Sequence, residues 1–402
     1  MSLQQSQFEK LKVSLPTRKE EAWKYTSLTD YKNIPWNSGS QEENHLSHDQ
    51  MQMLSKNLPS EFYNLVFVNG ILNKTLSDDL TSQIVIQSVE ANDLLIPSDH
   101  VEKNILNVAL SCLKNKLNIS ISDNETFEKP LHIVFVQGTK SPQYFSEKVN
   151  LHIGKNSELS ILTQTLSLDE LTQSSLNLNL DLKISEKARV RFIQIENENS
   201  KSYNFTQTAI KMDNDSQLQI FTMMLGSLLS RQYFHLEFLG HGADASVLGL
   251  NALNLNQHVD HYTFIQHSIG GNQSRQLYKS ILSDSSHSVF RGRVRIEKNA
   301  QKADSSQLNN NLLLTREAQA DSIPQLEIYA DDVKAGHGST VGQLNKEEIF
   351  YFLSRGINQY QAVKMLSFGY AQELIYQFEN KNIQDWLLKI LNQKLDRMIN
   401  YV

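Results

Sequence analysis

A short pattern recurs through the middle of this 402-residue chain and limits what it can fold into. Ser157-Glu-Leu-Ser-Ile, Ala188-Arg-Val-Arg-Phe, Ser216-Gln-Leu-Gln-Ile and Ala245-Ser-Val-Leu-Gly share one order: small, polar, aliphatic, then usually a large apolar residue. The small residues fall at steps of 31, 28 and 29, and polar turns such as Gly154-Lys155-Asn156 and Asp213-Asn214-Asp215 precede them. Strand-like units at this period suit a solenoid, in which each coil buries its apolar side on its neighbour. A β-sandwich of regularly spaced hairpins is the alternative. The hairpin dipeptide Asn-Gly occurs only at Asn69-Gly70, which favours the solenoid. Later candidates at His287, Ala300 and Ala318 break the spacing, so irregular coils are expected there.

Outside the repeat the periodicity changes. From about residue 63, runs such as Asn64-Leu-Val-Phe-Val68 and Leu131-His-Ile-Val-Phe-Val136 read as strands. Val101 to Lys116 is an exception whose apolar spacing suits a helix. Before residue 63, Phe8, Leu11 and Leu15 recur at helical intervals and Pro16 ends them, beside the charged segment Thr17 to Tyr25. After about residue 335 the period becomes 3.6. Asn345 with Glu348 opens a helix that Gly356 stops, Asn358 caps a second, and Ile383 to Tyr401 carries a wide apolar stripe. The expected division is a helical N-terminal region over 1–62, a β core over 63–335 and a helical C-terminal domain over 336–402. Terminal helices would also cap an exposed last coil.

Composition removes several functions. The formal charge of −6 gives no electrostatic reason for nucleic acid or anionic lipid as a partner. No apolar run is long enough to span a membrane, and no secretory signal pattern opens the chain, so a cytoplasmic protein is expected. A single cysteine, Cys112, rules out an internal disulfide and any thiolate metal site built from this chain alone. It reads as a small buried hydrophobe. Phosphate-binding and dinucleotide glycine motifs are missing, as is a G-x-S-x-G elbow to go with the oxyanion-like Gly336-His-Gly-Ser339.

Three further groups could carry chemistry. His258, His261 and His267 share a strand, but alternation puts His258 on the opposite face from the other two, so hydrogen-bonded strand histidines are expected rather than a metal site. Arg291, Arg293 and Arg295 share one face and suit either an acidic partner or balancing carboxylates. The segment Pro324 to Gly342 is the most informative. Glu327, Asp331, Asp332 and His337 place three hard oxygen donors and one imidazole within eleven residues, with Gly336 and Gly338 leaving the ring reachable. A structural turn between domains is the competing reading.

At this segment the sequence resembles the SufB/SufD family of iron–sulfur cluster assembly scaffolds, in its SufD branch. Pro16-Thr-Arg-Lys-Glu-Glu-Ala-Trp-Lys-Tyr-Thr26 is similar to the family's N-terminal signature. Gln276-Leu-Tyr-Lys279, Val289-Phe-Arg-Gly292, Asn309 to Leu314, Pro324 to Lys334 and His337 to Leu344 follow in order.

The resemblance implies a mainly β protein: a right-handed parallel β-helix between two helical regions. It implies a non-enzymatic scaffold that pairs with a SufB-like subunit through the β-helix. A SufC-like ATPase would dock on the C-terminal helices. His337 would contribute to iron or a transient Fe–S cluster at the subunit interface, with none bound tightly by this chain alone. Glu327, Asp331 and Asp332 would orient the ring or hold incoming iron. Many relatives carry Cys two residues before that histidine. Ala335 stands there instead, so the sulfur must come from elsewhere. A homodimeric β-helix module without metal, or a carbohydrate-active β-helix, are the competing classes.

Overall fold

The computed structural model describes residues 15–38, 46–80, 84–90, 115–138, 142–169 and 173–399. Phe8 to Ser14, Cys112 and all but the last two residues of the Val101 to Lys116 segment, for which helices and a buried thiol are expected, lie outside the described residues; Asn115 and Lys116 open a strand instead. The early strands are β1 (Asn37–Ser38), β2 (Tyr63–Val68), β3 (Ile71–Leu72), β4 (Ile84–Glu90), β5 (Asn115–Ile121) and β6 (Leu131–Gln137). Seven coils follow, each contributing one strand to either sheet. They are β7 (Gln143–Ile153) with β8 (Glu158–Ser167), β9 (Ser174–Ile184) with β10 (Arg189–Asn197), and β11 (Tyr203–Met212) with β12 (Gln217–Met224). Next come β13 (Leu229–Phe238) with β14 (Asp244–Leu253) and β15 (His258–His267) with β16 (Gln273–Leu282). The last are β17 (His287–Ile296) with β18 (Asp304–Leu313) and β19 (Gln319–Ile328) with β20 (Lys334–Gln343).

Odd strands from β5 to β19 form one sheet in parallel register and even strands from β6 to β20 the other, the connectivity of a parallel β-helix. The repeat found in the sequence is its even-strand corner, with one correction. Ser157, Ala188 and Ser216 precede residues that pair in register, but the equivalent position in the next coil is Ala243, not Ala245, because Gln217 pairs with Asp244. Asn272 and Ala303 continue the series. His287 and Ala318 belong instead to the odd sheet and Ala300 to a turn, which is why the steps looked irregular. Asn156, Lys187 and Asp215, each just before the small residue, take positive φ of 54–59°. A small residue is needed next to so tight a corner.

The lumen is half apolar and half polar. Ile161, Phe192, Ile220 and Val247 stack coil on coil in one column. Beside them run buried Gln194, Glu196, Asn204, Thr206, Gln232, Asn251, His261 and Gln276. Gly249 permits the crossing of Tyr278, since a Cβ there would lie 2.2 Å from the tyrosine ring.

Both outer faces are covered as well. Ile193, Phe221, Met223, Leu248 and Leu250 of the even sheet pack under α4 (Gln359–Ile375) and α5 (Lys381–Ile399), which follow α3 (Lys346–Ser354). Each such side chain contributes roughly 1.5–3 kcal/mol by leaving water. Asn345 and Asn358 cap α3 and α4 by accepting from the N–H groups of Glu347 and Gln361, both at 2.8 Å. The β-helix therefore ends at Gln343 rather than 335.

The described part of the N-terminal region begins at Leu15, after the Phe8 and Leu11 on which the helical spacing rests. It holds one 3₁₀ turn (Glu21–Trp23), α1 (Thr29–Asn33) and α2 (His48–Asn57), while β1 joins the odd sheet beside β7. Trp23, Tyr31 and Trp36 lie on Tyr203, Phe205 and Leu229 of the odd sheet.

Candidate functional site

Among the described residues no coil stacks on the solenoid's last one, and the candidate residues of the 324–342 segment all lie on that coil. β19 and β20 are the terminal strands of their sheets, each paired on one side only among the described residues. Ten-residue strands present roughly 33 Å of unpaired backbone apiece. Exposed Leu308, Ile328, Tyr329 and Val341 line this end. Pro324 suits it, because an edge strand tolerates a residue without an N–H.

His337 pairs in register with Gln307, which pairs with Gln276. Paired residues of adjacent strands face the same way. Gln307 and Gln276 are buried in the lumen, so His337 extends that column at the open mouth, where it is exposed. Ala335, two residues earlier, packs against the lumen core as the same alternation requires. The flanking glycines do not face the ring. Gly336 and Gly338 lie on the other side of β20, where a Cβ on Gly338 would come 3.0 Å from Leu308 and one on Gly336 would meet nothing. Reach to the imidazole comes from the strand's position at the end of the coil stack.

The three carboxylates are elsewhere. Glu327 lies on the outer face of β19, where Arg293 donates to both its oxygens (Nε to Oε1 at 2.8 Å, Nη2 to Oε2 at 3.0 Å). Asp331 and Asp332 are exposed in the β19–β20 turn. The Asp332 backbone is tied to the preceding coil, with its N–H donating to Gln301 and its carbonyl accepting from Lys302. Among the described residues no group of three His, Cys, Asp or Glu could hold a metal ion. The chain thus brings His337 alone to the mouth.

Each strand histidine is hydrogen-bonded through one ring nitrogen, and His267 Nδ1 stays buried without a partner. His261 Nε2 lies 2.8 Å from Asn251 Oδ1, and His267 Nε2 lies 2.9 Å from Ser274 Oγ. His258, on the other face, meets Thr26 Oγ1 at 2.9 Å. Burial lowers all three from the usual 6.5 to about 4. The arginine row is balanced by carboxylates: Arg291 on Glu21, Arg293 on Glu327 and Arg295 on Glu297.

Sequence reasoning passed over the residues that fasten the N-terminal segment. Arg231 and Asp260 pair under it, the guanidinium lies 3.8 Å from the Trp23 ring, and Arg231 Nη2 donates to the Ala22 carbonyl at 3.0 Å. Thr26 donates to Asp260, and Arg291 Nη2 donates to the Glu21 carbonyl at 2.8 Å. The Pro16–Thr26 motif is therefore a docking strip for β13, β15 and β17. A signal for this existed in the adjacent Glu21, Trp23 and Thr26, but their partners are more than 200 residues away.

Together these features define a two-sheet parallel solenoid with both flanks covered and the edge of its last coil unpaired among the described residues. Comparison with known proteins specifies which kind. Residues 135–370 match the family described as SUF system FeS cluster assembly, SufBD core domain. An iron–sulfur cluster assembly protein SufD of Escherichia coli is 30% identical over 96% of this chain and 90% of its own length. An iron–sulfur cluster assembly SufBD family protein of Synechocystis is 27% identical over 92% of this chain and 86% of its own. A SufD of Plasmodium berghei is 26% identical over 86% of this chain and a quarter of that longer protein. The chain belongs to the SufB/SufD family, in its SufD branch, and is a SufD-like subunit of iron–sulfur cluster assembly. Among the described residues no helix is long and apolar enough to cross a membrane.

Proposed function

We propose that this chain is a non-enzymatic scaffold half, completed by a SufB-like subunit laid against β19 and β20, and that His337 gives one imidazole nitrogen to iron or a nascent cluster at that seam. The observation that supports this most is the position of His337: exposed, on a terminal strand with an open edge, above a buried glutamine column. A partner sheet pairing there would cover the exposed edge and enclose the ring, bringing the thiolates that one cysteine cannot supply. Glu327, already paired with Arg293, is better placed to hold the outer face of β19 than to hold iron. Asp331 and Asp332 remain available for incoming iron from the turn.

Reconstituting the complex with Fe²⁺ and sulfide tests this. His337→Ala is expected to cut cluster yield about tenfold or more, the usual scale for losing a metal-site group. Its unfolding midpoint should stay within about 0.5 kcal/mol of wild type, because the ring is exposed. Unchanged cluster yield would remove the role.

The outer side of α3 supports docking of a SufC-like ATPase. That helix buries none of its residues, and Phe350 is 71% and Tyr351 57% exposed, with Leu353 beside them. Phe350→Glu is expected to abolish copurification with the ATPase while leaving thermal unfolding unchanged. Retained copurification would place the ATPase elsewhere.

A further inference from the structure

A second group lies five coils from His337, roughly 24 Å along the solenoid. Glu196 ends the inward face of β10, and Glu198 follows two residues later at the turn into β11. They are 2% and 5% exposed. Ser230 and Gln232 of β13 donate to Glu196 Oε2 at 2.7 and 2.9 Å. Glu198 accepts from Ser227 at 2.7 Å, from Asn204 at 3.2 Å and from Gln137 at 3.2 Å. These donors come from four different strands or turns and all are neutral. Among the described residues no Lys, Arg or His pairs with either carboxylate.

Two buried oxygens at this pair have no hydrogen-bond partner. Glu196 Oε1 is buried and has no hydrogen-bond partner. Gln137, 3% exposed, turns its amide onto Glu198, and its own Oε1 is buried without a partner. The Gln137 oxygen can only accept, and so can Glu196 Oε1 while that group is ionised. Two adjacent carboxylates removed from water repel one another and lose their hydration, a cost of several kcal/mol per ion unless a positive charge joins them. The bare pair resists ionisation accordingly: burial and its neighbour raise Glu196 well above the carboxylate range, and burial brings Glu198 to about 7.

We propose that the Glu196–Glu198 pair, with Gln137 Oε1 and the hydroxyls of Ser227 and Ser230, is a binding site for one hard divalent cation of the calcium type. A +2 ion cancels both charges and gives the two bare oxygens a partner at once. A single proton cancels only one of the two charges. Every donor is a carboxylate, amide or hydroxyl oxygen, the set that suits calcium, magnesium or manganese; nitrogen and sulfur, which softer metals favour, are missing from it. Because the ligands come from β6, β10, the turn before β13 and β13 itself, the ion would join three corners at which the chain passes from the even sheet to the odd one. The site stands independently of His337 and of any cluster there.

The full-length chain tests the proposal. Purified protein is desalted and its metal content measured, then unfolded with EDTA and refolded with or without 1 mM calcium chloride or magnesium chloride. Wild type is expected to retain about one calcium or magnesium per chain, and its thermal midpoint to rise by about 3 °C with calcium, as binding at a hundredfold over Kd gives. Glu196→Gln and Glu198→Gln should retain none, should not respond to calcium, and should melt in EDTA no lower than wild type does. Wild type free of both metals and indifferent to them would overturn the site in favour of protons. A transition metal retained in their place, or full retention in the double variant, would also overturn it. If the variants fail to fold, the wild-type metal content and refolding response decide.

Discussion

Asp260→Ala is expected to lower stability by about 3–5 kcal/mol, read as a fall in the urea midpoint. Asp260 is the counter-ion of Arg231, and both are buried under the N-terminal strip. Removing it takes the Asp260 carboxylate away from a buried guanidinium that also meets the Trp23 ring and the Ala22 carbonyl. Thr26 loses its acceptor in the same step. Residues 17–36 should therefore loosen first, and limited proteolysis should cut there before cutting the coils. Replacing both partners, Arg231→Met with Asp260→Leu, should recover most of the loss, because the desolvation cost then disappears with the charge. A loss below about 1 kcal/mol for Asp260→Ala would mean that the pair is hydrated and the strip is held by its aromatic residues alone.

The second large effect is on acid stability, through His132. Its Nδ1 lies 2.9 Å from Asn64 Oδ1 and must be the donor, which leaves Nε2 as a bare buried acceptor. Ring centroids of Trp386 and Phe62 lie 5.1 and 5.8 Å away, so the imidazole ties the α5 helix to the first coil. Burial lowers His132 from 6.5 to about 3. The unfolded chain therefore takes up the proton first. The stability this ring contributes is complete above about pH 6.5 and is lost as pH falls toward 3. At pH 4 the loss amounts to about 3 kcal/mol for this one group. The test is a difference of differences: wild type minus His132→Asn, each between pH 7 and pH 4. Whatever cavity the shorter side chain leaves cancels between the two pH values, and so do His261 and His267, which titrate alike in both proteins. A difference near zero would show that water reaches the ring.

Most of the architecture was legible because a solenoid is locally written. Each coil contacts the next, so its corner chemistry repeats at nearly constant spacing, as Ser157, Ala188 and Ser216 show. The repeat was misassigned at Ala245 because two residues of slip keep the same face and the same pattern. Only backbone pairing distinguishes Ala243 from it. The capping asparagines of α3 and α4 were readable for the same local reason. The described N-terminal segment docks on a sheet, and its order comes from Tyr203, Phe205 and Arg231 rather than from a periodicity of its own.

The candidate site divides along the same line. The sequence by itself determined that His337 would stand out and that this chain could not supply a thiolate cage, since both follow from residue identity and count. Only the tertiary structure decided that Glu327 is committed to Arg293 while His337 sits at the open mouth of the lumen. Those two residues are ten apart in sequence, yet they belong to different sheets and opposite faces. The Glu196–Glu198 pair was invisible for the same reason: in sequence it is two ordinary acids on a strand. Burial is a property of the coils stacked around a residue, and a charge costs nothing until water has been removed from it.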